Sequence, residues 1–337
     1  MPFEGASMNK HFLDALSNEN FSSRPPVWLM RQAGRYMHEY QAIRKKHTFL
    51  DLCYNEELIC KVTKMPIDAF GFDAAIVFSD ILLLLEVFGV KLSFTEGVGP
   101  RLYSEGILRA IDKEQIHKKL SPVYNACRLL KEDLSVPLIG FAGAPFTLLC
   151  YLIDGKSSTH FSKALTLLEK SREEFFRQLI LVKDAVILHI HAQFEAGCDA
   201  VQLFDTWMNL LPKAVIDEYI DTILVDICKN VTGPLLFFSK SISDISILQK
   251  IPAQGFSLPA NYALTDARRV LGKDVVLQGN FAPELLLEDS SFVVEQVKKI
   301  AQTMQHDPSY IFNLAHGILP NTPRKNVEML VQTIKNL

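Results

Sequence analysis

FSKALTLLEKSREEFFRQLILVKDAVILHIHAQFEAG, residues 161–197, lies between two short apolar runs, PLIGF at 137–141 and AVQLF at 200–204. The long stretch carries Lys and Glu on one face of a helical periodicity. The flanking runs are too short for helices and rich in β-branched and aromatic residues. A buried strand, an amphipathic helix and a second buried strand imply two parallel strands joined by a crossover. The alternation extends both ways. Upstream lie PVWLM (26–30) and AAIVF (74–78); downstream lie LLFF (235–238), GFSL (255–258), VVLQG (275–279) and YIFNL (310–314). DKEQIHKKLSPVYNACRLLKEDL, 112–134, is another amphipathic stretch. Eight strand candidates in 337 residues fit an α/β fold of one (β/α)8 TIM barrel better than an open sheet. The weakest repeat joins the fifth and sixth runs, which only SISDISILQKIPAQ (241–254) separates. No linker rich in Pro, Gly or Ser interrupts the chain. Residues 1–337 therefore read as one domain, with 1–22 as a mobile N-terminal extension.

Composition narrows the function. Hydrophobic residues make up 48% and charged residues 22%, with 16 Gly and 16 Pro, which excludes disorder and collagen-like or low-complexity structure. Lys+Arg 35 against Asp+Glu 38 leaves a net charge of −3, no footprint for nucleic acid or an anionic membrane surface. The most apolar stretch, AAIVFSDILLLLEVFGV (74–90), carries Asp80 and Glu86 and is too short to span a bilayer. The start, MPFEGASMNKHFLDAL, has no basic segment followed by an apolar run, so no signal peptide is read and a cytoplasmic protein is expected. The six cysteines include no CxxC pair and read as reduced thiols. His189 and His191, two apart on a helix, do not share a face, so no metal is expected.

The ends of the apolar runs hold the polar residues: Arg31, Ser79-Asp80, Gly143, Asp205-Thr206, Ser239-Lys240, Ser257, Gln278–Asn280 and Asn313–His316. Any one of them is explained by a helix cap or a turn. Together they mark the C-terminal rim on which barrel enzymes build their sites. Arg31 and Arg35, with no acidic residue between Arg31 and Tyr36, point to a carboxylate or phosphate site. Asp80, emerging from an apolar strand, is equally a helix cap for ILLLLEVFG and a pocket group. GFAGAPFTLLCYLIDGKSS (140–158) has neither a dinucleotide fingerprint nor a Walker pattern; its Tyr151 is equally a packed core tyrosine. Thr206 in FDTW and His316 in FNLAHG are candidate hydrogen-bonding groups. Lys240 raises a Schiff-base reading, with an ordinary ion-paired lysine as its plain alternative.

PVWLMRQAGRY and GFAGAPFTLLCYLIDGKSS resemble the two signatures of the uroporphyrinogen decarboxylase family. AAIVFSDIL, FDTWMNLL, VVLQGN and FNLAHGI follow in the family's order, and the resemblance spans roughly residues 24 to 330. It implies a single (β/α)8 barrel, a homodimer, and removal of carbon dioxide from the acetate side chains of uroporphyrinogen III to give coproporphyrinogen III without cofactor. By the same resemblance, Arg31 and Arg35 hold substrate carboxylates, with the Gln32, Ala33 and Gly34 backbone lining the pocket. Arg44 matches a further family arginine and Phe49 a cleft phenylalanine. Asp80 matches the aspartate that accepts from the pyrrole N–H groups, and Tyr151, Thr206 and His316 the other polar positions. The implied catalytic set is Asp80, Arg31 and Tyr151. The chain departs from the family pattern at Phe146, Ser241–Ser243, Pro259, Ala282 and Ala315, none an expected catalytic position. A zinc-dependent, corrinoid-linked methyltransferase on the same barrel, which needs a His-x-Cys motif absent here, and a non-catalytic tetrapyrrole binder are the competing readings.

Overall fold

Nine strands form among residues 9–20, 22–95, 97–104 and 108–337, which the computed structural model describes. They are β1 (Ala75–Ile76), β2 (Lys91–Thr95), β3 (Gly99–Tyr103), β4 (Leu138–Gly143), β5 (Ala200–Phe204), β6 (Leu235–Phe238), β7 (Gly255–Ser257), β8 (Val276–Phe281) and β9 (Tyr310–Leu314). β2 and β3 pair antiparallel as a hairpin outside the barrel. The other seven make one parallel sheet in the order β1-β4-β5-β6-β7-β8-β9. The eighth member is the PVWLM segment. Val27 bridges Phe312, with Phe312 N donating to Pro26 O at 2.9 Å, and on the other side Asp73 N donates to Val27 O at 2.8 Å. The sheet closes through that segment into a (β/α)8 barrel.

The helices follow from the amphipathic stretches. Residues 112–134 give the helix Lys113–Asp133, opened by a capping box in which Asp112 accepts from Gln115 N. Residues 161–197 give two helices, Ser162–Lys170 and Arg172–Glu195, broken at Ser171, whose φ of −149° is extended. Between β6 and β7 the short 241–254 stretch has room only for a 3-10 helix, Ile245–Lys250.

Alternate strand residues point inward. Ile139, Ala200, Leu236, Phe238, Val276 and Ile311 pack together inside the barrel with Trp28 and Met30. A polar layer crosses this interior. Trp28 Nε1 donates to Gln278 Oε1 at 2.8 Å, and Gln278 Nε2 donates to Gln202 Oε1 at 2.9 Å and to Ser257 Oγ at 2.6 Å. Each buried amide thereby finds partners, as a low-dielectric interior demands. The helix His11–Leu16 belongs to the same cluster, with Phe12 and Ala15 fully buried. Residues 9–20 are therefore part of the barrel's packing rather than a free extension; residues 1–8 and Phe21 lie outside the described residues. No described helix is long and apolar enough to cross a membrane.

Candidate active site

A cavity of about 370 Å³ opens at the C-terminal ends of the strands. That falls in the range of small-molecule sites, about 300–1,000 Å³. Its wall is built eccentrically. It draws on the loop after Met30, the segment after β1, the inward residues of β4, β5 and β6, and the loop after β9. A larger depression of about 640 Å³ lies over one face of the helix Ser290–Thr303, but every residue lining it belongs to that single exposed helix. The enclosed cavity is the better site.

Asp80 lines the cavity and also caps the 3-10 helix Ile81–Phe88, accepting from Leu82 N at 2.8 Å through Oδ1. Among the described residues no protein group donates to Oδ2. Burial pushes its carboxyl up to about 6; the Leu82 hydrogen bond and the nearby positive charge of Arg31 pull the other way. The group is therefore ionised at neutral pH and under-solvated, ready for a donor.

Arg31 sits in the left-handed region with φ at 60°, which is uncommon for a residue with a side chain. The conformation is held from outside. Gln32 N donates to Leu29 O at 3.0 Å, Met30 N to Asn313 Oδ1 at 3.0 Å, and Ile318 N to Met30 O at 2.9 Å. Gly317 supplies the room: a Cβ there would lie 2.7 Å from Arg31 Cγ. Arg31 and Arg35 are both exposed to the cavity mouth, and neither finds a carboxylate partner among the described residues. Two unpaired guanidiniums on one wall are an anion-binding arrangement.

The floor is aromatic. Phe141, Phe204 and Phe238 follow one another edge to face at 5.9 and 5.5 Å, and Phe238 meets the His316 ring at 5.9 Å. On the opposite side Phe49 packs on Phe78 at 5.9 Å and on Phe94 at 4.6 Å. Burial, then the charges of Arg31 and Lys240, push the His316 imidazole down to about 4, against a hydrogen bond with the Gly317 backbone. His316 is thus neutral near pH 7. Thr206 lines the cavity beside a buried anchor, Asp205, which accepts from Thr147 Oγ1 at 2.8 Å and Tyr219 OH at 2.6 Å. Burial pushes the Asp205 carboxyl up to about 6 in spite of those donors.

Nine of the eleven positions expected from the sequence share this wall: Arg31, Gln32, Ala33, Gly34, Arg35, Phe49, Asp80, Thr206 and His316. Arg44 does not. It ends the helix His38–Arg44, gives a hydrogen bond to His47 O, and stands behind Phe49 with its guanidinium 5.9 Å from the ring centroid. Tyr151 does not either. It lies on the helix Pro145–Asp154 and packs edge-on to Phe161 at 5.2 Å. Gln32 touches the cavity, but its side chain serves the backbone, accepting from Leu29 N and donating to Ala74 O, both at 3.2 Å. The rim residues Ser257 and Gln278 turn inward to the polar layer instead. Lys240 is exposed, with its ammonium 5.8 Å from the Trp207 ring centroid. The floor of Phe141, Phe204 and Phe238, and Phe78 opposite it, were not read from the sequence, although four strand runs each end in a phenylalanine. Among the described residues no three His, Cys, Asp or Glu side chains gather as metal ligands.

A profile of the uroporphyrinogen decarboxylase family matches residues 7–337. The chain is 37% identical to the uroporphyrinogen decarboxylase of Francisella philomiragia subsp. philomiragia, over 97% of this chain and 99% of that one. It is 38% identical to the uroporphyrinogen decarboxylase of Protochlamydia amoebophila, over 98% and 92% respectively. Among solved structures, a methyltransferase from Methanosarcina mazei superposes with a TM-score of 0.83 over 98% of this chain and 99% of its own, at 18% identity. A B12-independent methionine synthase from Shewanella sp. W3-18-1 superposes with a TM-score of 0.53 over 83% and 87%, at 11% identity. At such identities those two likenesses concern the barrel alone. Matched by sequence over residues 7–337, and 37% identical to a relative over 97% of its length, the chain belongs to the uroporphyrinogen decarboxylase family.

Proposed function

We propose that this chain is a uroporphyrinogen decarboxylase, a carboxy-lyase of porphyrin and haem biosynthesis that converts the acetate side chains of uroporphyrinogen III to methyl groups. The observation that carries the reading is the meeting of two arginines, unpaired among the described residues, and one under-solvated carboxylate on a single aromatic-floored cavity. The substrate is a polycarboxylate with ring N–H groups, so it presents acceptors for the first pair and donors for the second.

The chemistry balances without an outside electron acceptor. The pyrrole is protonated at the ring carbon next to the one bearing the acetate arm, which makes the ring cationic and leaves the arm-bearing carbon electron-poor. The bond between methylene and carboxylate then breaks, carbon dioxide leaves, and its electron pair flows into the ring. The methylene carbon takes a proton, the ring carbon gives one up, and each turnover consumes one proton overall. The ring is its own electron sink, so neither metal nor organic cofactor is required. Asp80 stabilises the cationic ring through its N–H groups, most strongly where water is excluded. Arg31 and Arg35 orient the carboxylates. Thr206 and neutral His316 offer hydrogen bonds to the remaining substituents. Phe49 and the four strand-end phenylalanines keep the site dry. Arg44 acts through Phe49, and Tyr151 through the helix that backs the wall.

The family resemblance further supports a cytoplasmic homodimer, checked by light scattering on the purified protein. The activity itself is tested under anaerobic conditions, by following porphyrinogen products and carbon dioxide with wild type and Asp80→Asn. Wild type is expected to yield coproporphyrinogen. The variant keeps the cap on Leu82 N but loses the charge, and should be slower by about a hundredfold or more. No turnover by folded wild type, or an undiminished Asp80→Asn, would overturn the reading.

A further inference from the structure

The chain runs on from β1 to Asp80, yet its pairing with β4 stops early. Alternate residues of β4 face alternate neighbours. Leu138 O accepts from Asp199 N at 2.8 Å on the β5 side, and Ile139 O accepts from Val77 N at 2.9 Å on the β1 side. Phe141 has the parity of Ile139. A continued ladder would pair its N–H with Val77 O and its carbonyl with Ser79 N. Instead Phe141 N donates to Gln193 Oε1 at 2.8 Å, and Gln193 Nε2 donates to Phe141 O at 3.0 Å. One side-chain amide from the helix Arg172–Glu195 replaces both rungs.

The replacement is built into its surroundings. Gln193 is 1% exposed, and a Cβ on Gly140 would collide with its Oε1 and lie 3.1 Å from its Cδ. The other edge of the same segment is also unzipped. Phe78 N donates to Thr63 Oγ1 at 2.9 Å, and the Gln32 amide stands between Leu29 N and Ala74 O. Beyond Val77, residues 78–80 are thus released from backbone pairing on both edges, with the freed groups of Phe78 and Phe141 satisfied by side chains. The widened seam is where Asp80 enters the cavity.

We infer that Gln193, which no sequence pattern singled out, is a positioning residue: its amide wedges the seam between β1 and β4 open and so sets the Asp80 carboxylate under the substrate ring. The inference rests on the role proposed for Asp80. Without the amide, Phe141 would recover Val77 and Ser79 as partners and draw Asp80 towards the wall.

The test uses Gln193→Leu, which removes both polar atoms at similar volume, and Gln193→Glu, which keeps an acceptor for Phe141 N. Gln193→Leu should lower kcat by about tenfold to a hundredfold, as a displaced catalytic group does, with KM little changed. Gln193→Glu should lose less. In an Asp80→Asn background the Gln193→Leu step should cost less than about threefold, because the two residues act as one unit. A readout independent of turnover is the carboxyl titration of Asp80 by carbon-13 NMR, assigned by its loss in Asp80→Asn. It should shift in Gln193→Leu. A folded Gln193→Leu with wild-type kcat and an unmoved Asp80 titration overturns the inference, as does full additivity in the double variant. Should wild type itself show no turnover, the proposed reaction fails, and the NMR titration alone decides the seam. Should Gln193→Leu fail to fold, the same measurements on Gln193→Glu decide it.

Discussion

Asp80 divides its two oxygens between two tasks. Oδ1 holds Leu82 N and fixes the direction of the chain, and Oδ2 is left for a ligand. The sequence balanced a cap against a pocket group, and at this residue they are the same thing. Because burial raises the carboxyl from 3.8 to about 6, protonation should be visible in the kinetics. Above that pH the group carries its charge, and below it the charge is lost. The pH dependence of kcat/KM, which reports the free enzyme, should fall on the acid side with a midpoint near 6, and the limb should vanish in Asp80→Asn. A limb near 4, or one that survives in Asp80→Asn, would assign the ionisation elsewhere. His316 does not compete for this assignment, being neutral down to about 4. Side-chain identity was legible where chemistry is rare, as with an aspartate after AAIVF or arginines free of acids. It was not legible for Phe141, Phe204 and Phe238, because a phenylalanine ending an apolar run reads first as core. Only the register of the strands shows that the three face one hollow.

Two loops have to meet for Arg31 to reach the cavity. One leaves the PVWLM segment and the other leaves β9, and Gly317 on the second lets the Arg31 side chain cross it. Gly317→Ala should push Arg31 aside while leaving the barrel intact, since Gly317 does not have a left-handed backbone. Its KM should rise by about tenfold, the loss of roughly one charge-assisted hydrogen bond, with a smaller change in kcat. Steady-state kinetics checks this, and an unaltered KM would show that Arg31 does not grip the substrate. The elements themselves were largely legible. Strand runs and amphipathic stretches reappear as β4 to β9 and as the long helices. Three features were not. PVWLM forms only a bridge because the Gln32 amide stands where a rung would be. The 161–197 stretch breaks at Ser171 without a glycine or proline to announce it. The 241–254 stretch is too brief for an α-helix and closes its repeat with a 3-10 turn. Each depends on what neighbouring elements supply, which local pattern does not carry.

Over the whole molecule the net charge is −3, yet the cavity mouth holds Arg31 and Arg35 without acidic partners among the described residues. A slightly acidic chain can hold a local cationic wall, and composition alone, which averages over the surface, does not exclude one. Counting strands was enough to predict the barrel. It did not predict that the cavity is eccentric, because Ser257 and Gln278 spend their polar atoms on the interior layer while residues 78–80 are unzipped from both neighbours. The most direct test of the account is a crystal structure of the chain grown anaerobically with coproporphyrinogen. The account predicts the macrocycle in the cavity over Phe204 and Phe238, its carboxylates on Arg31 and Arg35, and its ring nitrogens about 2.7–3.2 Å from the Asp80 carboxylate. A macrocycle bound elsewhere, or one in this cavity with its nitrogens turned away from Asp80, would contradict it.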